Sequence, residues 1–311
     1  SREGRPRGPG RQDLRFVTRT LKYNTCDWLT IEEMLEQYVP ATVESRVGDN
    51  GVLKLQTHNV ATLQIARGVS QFVEIDGDLH PLENAADGLL PGVYYERDDK
   101  QWHVMDYQQS KAFPDNRDRR KRRDLQGPID DAFMGPFVCV RGTGQPWSAG
   151  HQQWSEWTLA RFEKEFDKWL RGRVPVVDDT QISDQMIRDK HLVLFGDPGS
   201  NTVLARLVKD LPLKWDESSL TIAGKRYPTT DHGLSLIFPN PLNPRKYVVL
   251  NSGHTFHEPD FKASNSWLFP RLGDVAVQKF AADGAGGFRE TVVWAEIFNG
   301  GWFLPGERPA P

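Results

Sequence analysis

A short apolar strand that runs directly into a glycine-rich turn constrains the fold of this chain most. The apolar run is residues 192–195, and a helix-like segment at 201–211 follows the turn. The turn consists of small and turn-forming residues, namely Gly196, Asp197, Pro198, Gly199 and Ser200. This order of strand, turn and helix is typical of α/β folds, in which ligands bind at the carboxyl ends of strands beside a helix N-terminus.

Two further segments have the same layout. Residues 234–244 and 247–256 each begin as a hydrophobic strand and end in a polar tip rich in Gly, Pro or Asn. The polar side chains of these tips include Asn240, Asn243, Asn251 and His254. Because all three tips follow predicted strands, we expect them to form one shared rim at the edge of a sheet.

Length and composition limit the class of protein. A chain of 311 residues predicts two domains, and 38% hydrophobic with 26% charged residues predicts folded cores. The net charge of −3 argues against a nucleic-acid partner. No apolar run approaches the ~20 residues of a membrane helix, so we expect no membrane partner either. The chain begins with Ser1 and not with Met, and we expect it to be a piece of a longer polypeptide.

The pattern of predicted elements changes along the chain. Short strands separated by turns over 14–107, with a hairpin at 92–107, predict a small β-sandwich. Beyond it, strands alternate with predicted helices at 152–170, 201–211 and 274–280, which predicts a Rossmann-like, doubly wound, mostly parallel sheet. The predicted class is therefore α/β. Its parts are a linker (1–13), the sandwich (14–107), a basic connector (108–125), the Rossmann-like domain (126–303) and a tail (304–311).

The connector contains the strongly basic run NRDRRKRRD at 116–124. Such a run is compatible with contact to nucleic acid or to an acidic partner. Since the whole chain is slightly acidic, we interpret it as a solvated linker or helix face.

The turn after residue 195 admits several chemical interpretations. Its glycines would let backbone N–H groups approach a phosphate, but neither a Walker sequence nor a dinucleotide fingerprint is present. Ser200 is a candidate nucleophile at a strand-to-helix turn, although the G-x-S-x-G motif is absent. The simpler interpretation is that Ser200 or Asn201 caps the following helix.

His254 follows a predicted strand and is a candidate catalytic base. With Ser200 and one of Asp197, Asp231 or Asp260 it would complete a catalytic triad. A structural histidine that bonds neighbouring loops explains the same position. His257, Glu258 and Asp260 allow a metal interpretation, but no ligand spacing supports one, so we expect neither a metal site nor a cofactor.

Two other polar groups stand next to prolines. Asp130 and Asp131 are adjacent in sequence and therefore point in different directions, which suits a helix cap or loop anchor better than an acid–base couple. Asn240 and Asn243 lie between prolines in the segment 239–244, which predicts a rigid loop whose amides bond backbone or a ligand.

Several longer segments together resemble one protein family. They are LRFVTRTLKYN, THNVATLQI, VEIDG, LQGPIDDAFMGPFVCVRGTG, LVLFGDPGSN, IFPNPLNPRKYVVLNSGHTF and residues 294–302. From about residue 14 onwards the chain is similar to the C-terminal half of bacterial, planctomycete-type, prolyl-oligopeptidase-like α/β-hydrolase-fold proteins. In that family the catalytic domain with its G-x-S-x-G motif lies upstream of such a segment, and no residue here carries over as the nucleophile.

The resemblance implies an accessory role. We expect a C-terminal region, itself non-catalytic, that docks on the upstream hydrolase domain of the same polypeptide and shapes its active site. The expected interface residues are Asp130, Asp131, Gly196, Asp197, Gly199, Ser200, Asn201, Asn240, Asn243, Asn251 and His254. The resemblance also suggests a secreted or periplasmic protein, while the residues alone fix no compartment.

Two alternatives remain open at this point. One is a stand-alone hydrolase that uses Ser200 or Asp197 with His254. The other is a carbohydrate-binding module with a strip of exposed Trp side chains on the sandwich. Exposed tryptophans would support the module, and buried ones would count against it.

Overall fold

The computed structural model describes residues 12–48, 50–82, 92–99, 101–113, 120–254 and 272–306. The chain divides into two compact units, the first of Ser1–Gln126 with Asn299–Gly301 and the second of Gly127–Phe298 with Trp302–Pro311. Among the described residues 43% lie in strands and 21% in helices. The protein is therefore mostly β, and the predicted α/β class is wrong.

The first unit is built from two five-stranded sheets. One has the strand order β1-β4-β5-β7-β8 and the other β10-β9-β6-β3-β2. The strands are β1 (Leu14–Thr18), β2 (Thr25–Cys26), β3 (Leu29–Met34), β4 (Ala41–Val47), β5 (Leu53–His58), β6 (Val60–Ala66), β7 (Phe72–Ile75), β8 (Asp78–Pro81), β9 (Gly92–Asp98) and β10 (Gln101–Val104). Neighbouring strands are antiparallel except β5 and β7, which are parallel.

One hydrophobic core joins the two sheets of the first unit. Alternate side chains of β4 and β5, such as Val43 and Leu55, pack in the same cluster as Ile31 of β3 and Leu63 of β6. This alternation is the period of two that a half-buried strand requires. Both tryptophans of the described part of this unit, Trp28 and Trp102, are buried in the core.

The described residues of the basic connector belong to the first unit. Helix α1 (Tyr107–Ala112) begins at Asp106, whose side chain forms a capping box with Gln109. Further along, the Arg120 guanidinium lies 2.6 Å from a carboxylate oxygen of Glu33. Lys121 is buried, with its ammonium 5.5 Å from the centre of the Tyr38 ring. Lys121 is thus not solvated, whereas Arg120, Arg123 and Asp124 are exposed, and residues 116–119 lie outside the described residues.

A seven-stranded mixed sheet forms the centre of the second unit, in the order β12-β11-β13-β18-β17-β19-β20. Its strands are β11 (Phe137–Arg141), β12 (Val176–Asp178), β13 (His191–Phe195), β17 (His232–Asn240), β18 (Asn243–Leu250), β19 (Val275–Ala282) and β20 (Phe288–Glu296). A separate three-stranded sheet contains β14 (Lys214–Trp215), β15 (Ser219–Ile222) and β16 (Lys225–Pro228). The predicted strand at 192–195 is confirmed, and β15 and β16 form an antiparallel hairpin.

The predicted Rossmann-like, doubly wound sheet is wrong. Strands β12, β11, β13 and β18 are parallel neighbours, but β17, β19 and β20 pair antiparallel to the strands beside them. The predicted helix at 274–280 is strand β19, which lies between β17 and β20 and buries consecutive residues such as Val275, Ala276 and Val277. Because both faces of this strand are covered there, its apolar run has no clear period of two and resembles a buried helix.

The described helices of the second unit are α2 (Ala149–Leu170), α3 (Asp184–Asp189) and α4 (Thr202–Leu207). The predicted helix at 152–170 is confirmed as part of α2, which begins at the N-cap Ser148 and buries Trp154, Leu159 and Phe162. Short 3-10 helices occupy Ile129–Met134, Asp179–Gln181 and Val208–Asp210. In the part of the chain that the structure describes, no helix has the length and apolarity to span a membrane.

Candidate functional site

The parallel strands of the second unit bring two of the three predicted tips together. Strands β13 and β18 are parallel neighbours, with Leu194 opposite Leu250. The turn that follows Phe195 and the segment that follows Leu250 therefore lie side by side at one edge of the sheet. In addition, the N–H of Asn251 donates to the carbonyl of Leu194 at 2.8 Å.

The polar side chains of the turn after β13 bond to the turn itself. Asp197 Oδ1 accepts from the N–H of Ser200 at 2.8 Å, and Ser200 Oγ accepts from the N–H of Asp197 at 3.0 Å. Asn201 caps α4 by accepting from the N–H groups of Val203 and Leu204, both at 3.1 Å. The predicted helix cap is confirmed for Asn201. Asp197, Ser200 and Asn201 are all buried, so the turn is part of the core and not a projecting loop.

Asp197 also fixes the beginning of α2. Its Oδ2 accepts from the N–H of Trp147 at 2.9 Å and from that of Ser148 at 3.3 Å. These N–H groups precede the helix, where backbone donors lack intrahelical acceptors. A carboxylate at this position is also favoured by the helix dipole. One carboxylate thus ties the loop after β11 to the turn after β13.

Asn251 connects the ends of β13 and β18 through its side chain. Its Oδ1 accepts from the N–H of Gly196 at 2.8 Å and from Ser155 Oγ at 2.9 Å. Its Nδ2 donates to the carbonyl of Gly196 at 3.0 Å. Gly196 has φ +118, a conformation open to glycine and strained for other residues. Asn251 is therefore a structural clamp.

Asp179 performs a similar task directly after β12, and the sequence patterns did not mark it as a site residue. Its Oδ1 accepts from the N–H and the hydroxyl of Thr143, and its Oδ2 accepts from the N–H of Thr202 at the start of α4. Burial disfavours the charged form, but the hydrogen bonds from Thr202 and Thr143 outweigh it and hold the pKa of Asp179 below its usual value. The adjacent aspartates that follow Val176 and Val177 were the only local signal for this role.

The third predicted tip lies at the opposite edge of the sheet. Strand β17 pairs antiparallel with β18, with Asn240 opposite Asn243, so the segment between them is a hairpin turn. Asn240 Oδ1 accepts from the N–H of Leu242, and Asn243 Nδ2 donates to the carbonyls of Ile187 and Arg188. The predicted rim shared by three tips is wrong, because an antiparallel return puts the end of β17 beside the beginning of β18.

The structure brings Asp130 and His254 together, a pair that the sequence did not suggest. His254 Nδ1 lies 3.0 Å from Asp130 Oδ1, and both side chains are largely buried. Burial lowers the pKa of His254, and the Asp130 carboxylate acts in the opposite direction. The neighbouring Asp131 has another partner, since it accepts a hydrogen bond of 2.7 Å from the Tyr247 hydroxyl.

A small cavity of about 30 Å³ borders His254. Polar side chains around it come from α2, from β17 and β19, and from the end of β18; they include Thr158, Arg161, Glu165, Ser235, Ser252 and Gln278. Most of these groups already have partners, for example Arg161 with Glu290 at 2.6 Å. The volume is enough for about one water molecule and too small for an organic substrate.

The proposed Ser200–His254 pair is not formed among the described residues. Ser200 Oγ donates to the carbonyl of Asp197 at 3.3 Å, and His254 contacts Asp130. Asp231 contacts His232 Nδ1 at 2.6 Å. The other triad candidate, Asp260, lies outside the described residues, as do His257 and Glu258. Within the described ranges, no group of three or more His, Cys, Asp or Glu side chains is arranged to hold a metal ion.

An open cleft of about 1020 Å³ lies in the first unit. It lies on the outward side of the sheet that contains β1, β4, β5 and β7. Its charged lining residues are Asp13, Arg15, Glu44, Arg46, Lys54, Glu74 and Asp76. Lys54 and Glu74 form an ion pair at 2.8 Å, and Asp76 accepts from Thr57 and from the Trp102 indole. The cleft thus presents charges of both signs and no Trp side chain.

Comparison with protein-family models, with curated proteins and with solved structures finds no match to this chain.

Proposed function

We propose that this chain is a non-catalytic accessory region that binds to the α/β-hydrolase domain of a larger protein. One observation supports the proposal that the chain is non-catalytic. Ser200, the single serine at a strand-to-helix turn that the sequence offered as a nucleophile, is buried and hydrogen-bonded to Asp197. The partner in the proposal comes from the sequence resemblance described above.

The geometry around Ser200 is that of a structural turn. A catalytic serine needs an exposed oxygen and a base within about 2.6–3.2 Å. Here the oxygen is 0% exposed, and it is hydrogen-bonded to the backbone N–H and carbonyl of Asp197. The nearby Asp197 and Asn251 side chains are also committed to backbone N–H groups. The polar groups at these strand ends therefore fit a structural role better than a catalytic one.

Hydrolysis assays test the non-catalytic part. We expect the purified chain to show no Ser200-dependent cleavage of p-nitrophenyl esters or prolyl peptides, and a fluorophosphonate probe to leave Ser200 unlabelled. Hydrolysis that disappears in Ser200→Ala, in a variant shown to be folded, would overturn it.

The identity of the partner domain is tested separately, by reading the gene sequence upstream of this chain. The sequence that precedes Ser1 in the same reading frame should encode a hydrolase domain with a G-x-S-x-G motif. If no such domain is present there, the docking part of the proposal is wrong, whatever the activity assays show.

A second candidate function rests on the Asp130–His254 contact. A carboxylate that orients an imidazole is the arrangement of a general base. In this alternative His254 activates a water molecule held in the adjoining cavity. Any hydrolysis by the chain that is lost in His254→Gln but retained in Ser200→Ala would favour this function over the accessory role.

A carbohydrate-binding function based on stacked tryptophans is not supported by the first unit. Trp28 and Trp102 are buried, and the large cleft is lined by charged and small polar side chains. Sugar rings usually stack on exposed aromatic faces, which this cleft does not present among its lining residues.

A further inference from the structure

His151 occupies an aromatic box in the second unit. It lies in the first turn of α2 and is 0% exposed. The rings of Trp154, Trp215 and Phe280 surround it, with centroids 5.3, 5.4 and 6.3 Å from that of the imidazole. Neither imidazole nitrogen has a hydrogen-bond partner among the described residues. A polar group buried in this way lowers the free energy of unfolding, which calls for an explanation.

The charged group that acts on His151 is Asp197. Burial lowers the pKa of His151 to about 4, and the Asp197 carboxylate opposes this effect. The same carboxylate accepts from the N–H groups of Trp147 and Ser148 ahead of α2, and from that of Ser200. His151 therefore lies in the electrostatic field of a carboxylate that ties the loop before α2 to the turn after β13.

Among the described residues, one charged group bonds to a ring of the box: the Glu290 carboxylate accepts from the Trp154 indole N–H at 2.7 Å and pairs with Arg161 at 2.6 Å. The facing side chains of α2, β14 and β19 are the uncharged rings of Trp154, Trp215 and Phe280. The basic residues next to two of these rings, Lys214 and Lys279, are exposed, and Lys279 contacts Asp231 at 3.5 Å.

We propose that His151 and Asp197 form an acid-sensitive latch that holds the loop before α2 and the turn after β13 closed while His151 is neutral. Protonation gives the imidazole two N–H donors and a positive charge, for which the aromatic box provides no acceptor among the described residues. The cation then competes for the Asp197 carboxylate with the N–H groups of Trp147, Ser148 and Ser200. Loss of these bonds opens both loops and admits water to the imidazolium.

The direction of the pH effect follows from the burial of His151. In the opened state its pKa returns towards the ordinary 6.5, whereas in the closed state it is about 4. Between these values the open state binds more protons, so acidification favours opening. Because of this difference in the pKa of His151, the ratio of open to closed molecules at about pH 4.5 is tens of times higher than at neutral pH.

Amide hydrogen exchange measured by NMR tests the latch, because its three bonds have their own N–H probes. After correction for the intrinsic exchange rate, the protection of Trp147, Ser148 and Ser200 should fall about tenfold or more between about pH 7 and about pH 4.5. In His151→Phe, which keeps an aromatic ring but cannot be protonated, the same amides should change by less than about twofold.

Two controls separate the latch from general acid unfolding. His191→Asn alters another buried histidine, and the acid sensitivity of the three amides should persist there. His151→Gln covers the case that the phenylalanine variant does not fold. If the three amides lose protection equally in the wild-type protein and in the folded His151 variant, or if wild-type protection does not change with pH, the latch is wrong.

Discussion

The side-chain amide of Asn251 bonds both backbone groups of Gly196, accepting from its N–H at 2.8 Å and donating to its carbonyl at 3.0 Å. It thereby continues the pairing of β13 and β18 by one step beyond the last residues of the ladder, Leu194 and Leu250. A main-chain pairing could not continue here, because Gly196 turns away with φ +118. The amide replaces the lost backbone partners.

Asn251→Ala should destabilise the second unit. The substitution removes the acceptor for Gly196 N–H and Ser155 Oγ and the donor to the Gly196 carbonyl, all in a buried region. Buried groups left without partners cost about 1–3 kcal/mol each, so we expect a loss of about 3 kcal/mol in the free energy of unfolding. Urea denaturation followed by circular dichroism measures it.

Gln56→Ala is the matched control for this substitution. Gln56 is an exposed residue of β5 on the first unit, and its truncation should change the free energy of unfolding by about 0.5 kcal/mol or less. Equal effects of the two substitutions would show that Asn251 is not a clamp.

Gly233→Ala should destabilise through overlap and not through backbone strain. A Cβ at Gly233 would overlap the indole ring of Trp154. That ring cannot move freely, since its N–H donates to Glu290 at 2.7 Å and its face stacks on Phe280 at 5.2 Å. Overpacking of this kind costs about 1–3 kcal/mol, which thermal denaturation should reveal as a lower melting temperature.

Gly300→Ala provides the comparison, because a Cβ there would meet its nearest neighbour, the Met34 carbonyl, at an ordinary 3.7 Å. We expect this variant to melt close to the wild-type temperature. If Gly233→Ala also melts there, the Trp154 ring is more mobile than its contacts indicate.

The sequence predicted local features of the second unit better than its topology. The strand at 192–195 and the helix cap Asn201 are determined by residues close to them in sequence, and both predictions are confirmed. Strand β19 was mistaken for a helix, because burial on both faces removed the alternation that marks a strand. The Asp130–His254 contact joins distant parts of the chain, which periodicity and turn signals do not reveal.

The direction of β18 was predictable in part. The connection between Asn240 and Asn243 is only two residues long. Parallel neighbours need a crossover of a dozen or more residues, so such a short connection requires an antiparallel hairpin. This argument from connection length would have separated Asn240 and Asn243 from the tip that contains Asn251.

Acidification should destabilise the folded chain through His191. Its Nδ1 accepts from the N–H of Tyr247 at 2.8 Å, and burial, with a smaller effect from Lys246, lowers its pKa to about 4. Between pH 6.5 and about 4 the unfolded state takes up a proton that the folded state does not. Stability is therefore lost as the pH falls, by on the order of 3 kcal/mol from this residue.

Urea denaturation at a series of pH values measures the effect. His191→Asn keeps an acceptor for the Tyr247 N–H without the titrating ring, and its free energy of unfolding should depend less on pH over this range. His103→Asn, at an exposed position of β10, should follow the wild-type curve. Parallel curves for wild type and His191→Asn would mean that His191 does not contribute to acid sensitivity.

The Asp130 carboxylate should raise the pKa of His254 against the effect of burial. Its Oδ1 lies 3.0 Å from His254 Nδ1, and a negative charge at this distance stabilises the imidazolium. Asp130→Asn removes the charge and retains the size of the side chain. We therefore expect the pKa of His254 to fall further below 6.5, as measured by NMR titration of its ring protons.

Asp131→Asn distinguishes this pairing from a general effect of negative charge. Asp131 is adjacent in sequence, but its carboxylate accepts from the Tyr247 hydroxyl. Because opposite charges interact most strongly at short distance, the Asp131 substitution should move the pKa of His254 less than Asp130→Asn does. Equal shifts in the two variants would contradict a direct Asp130–His254 pair, and would leave the second candidate function without the base on which it depends.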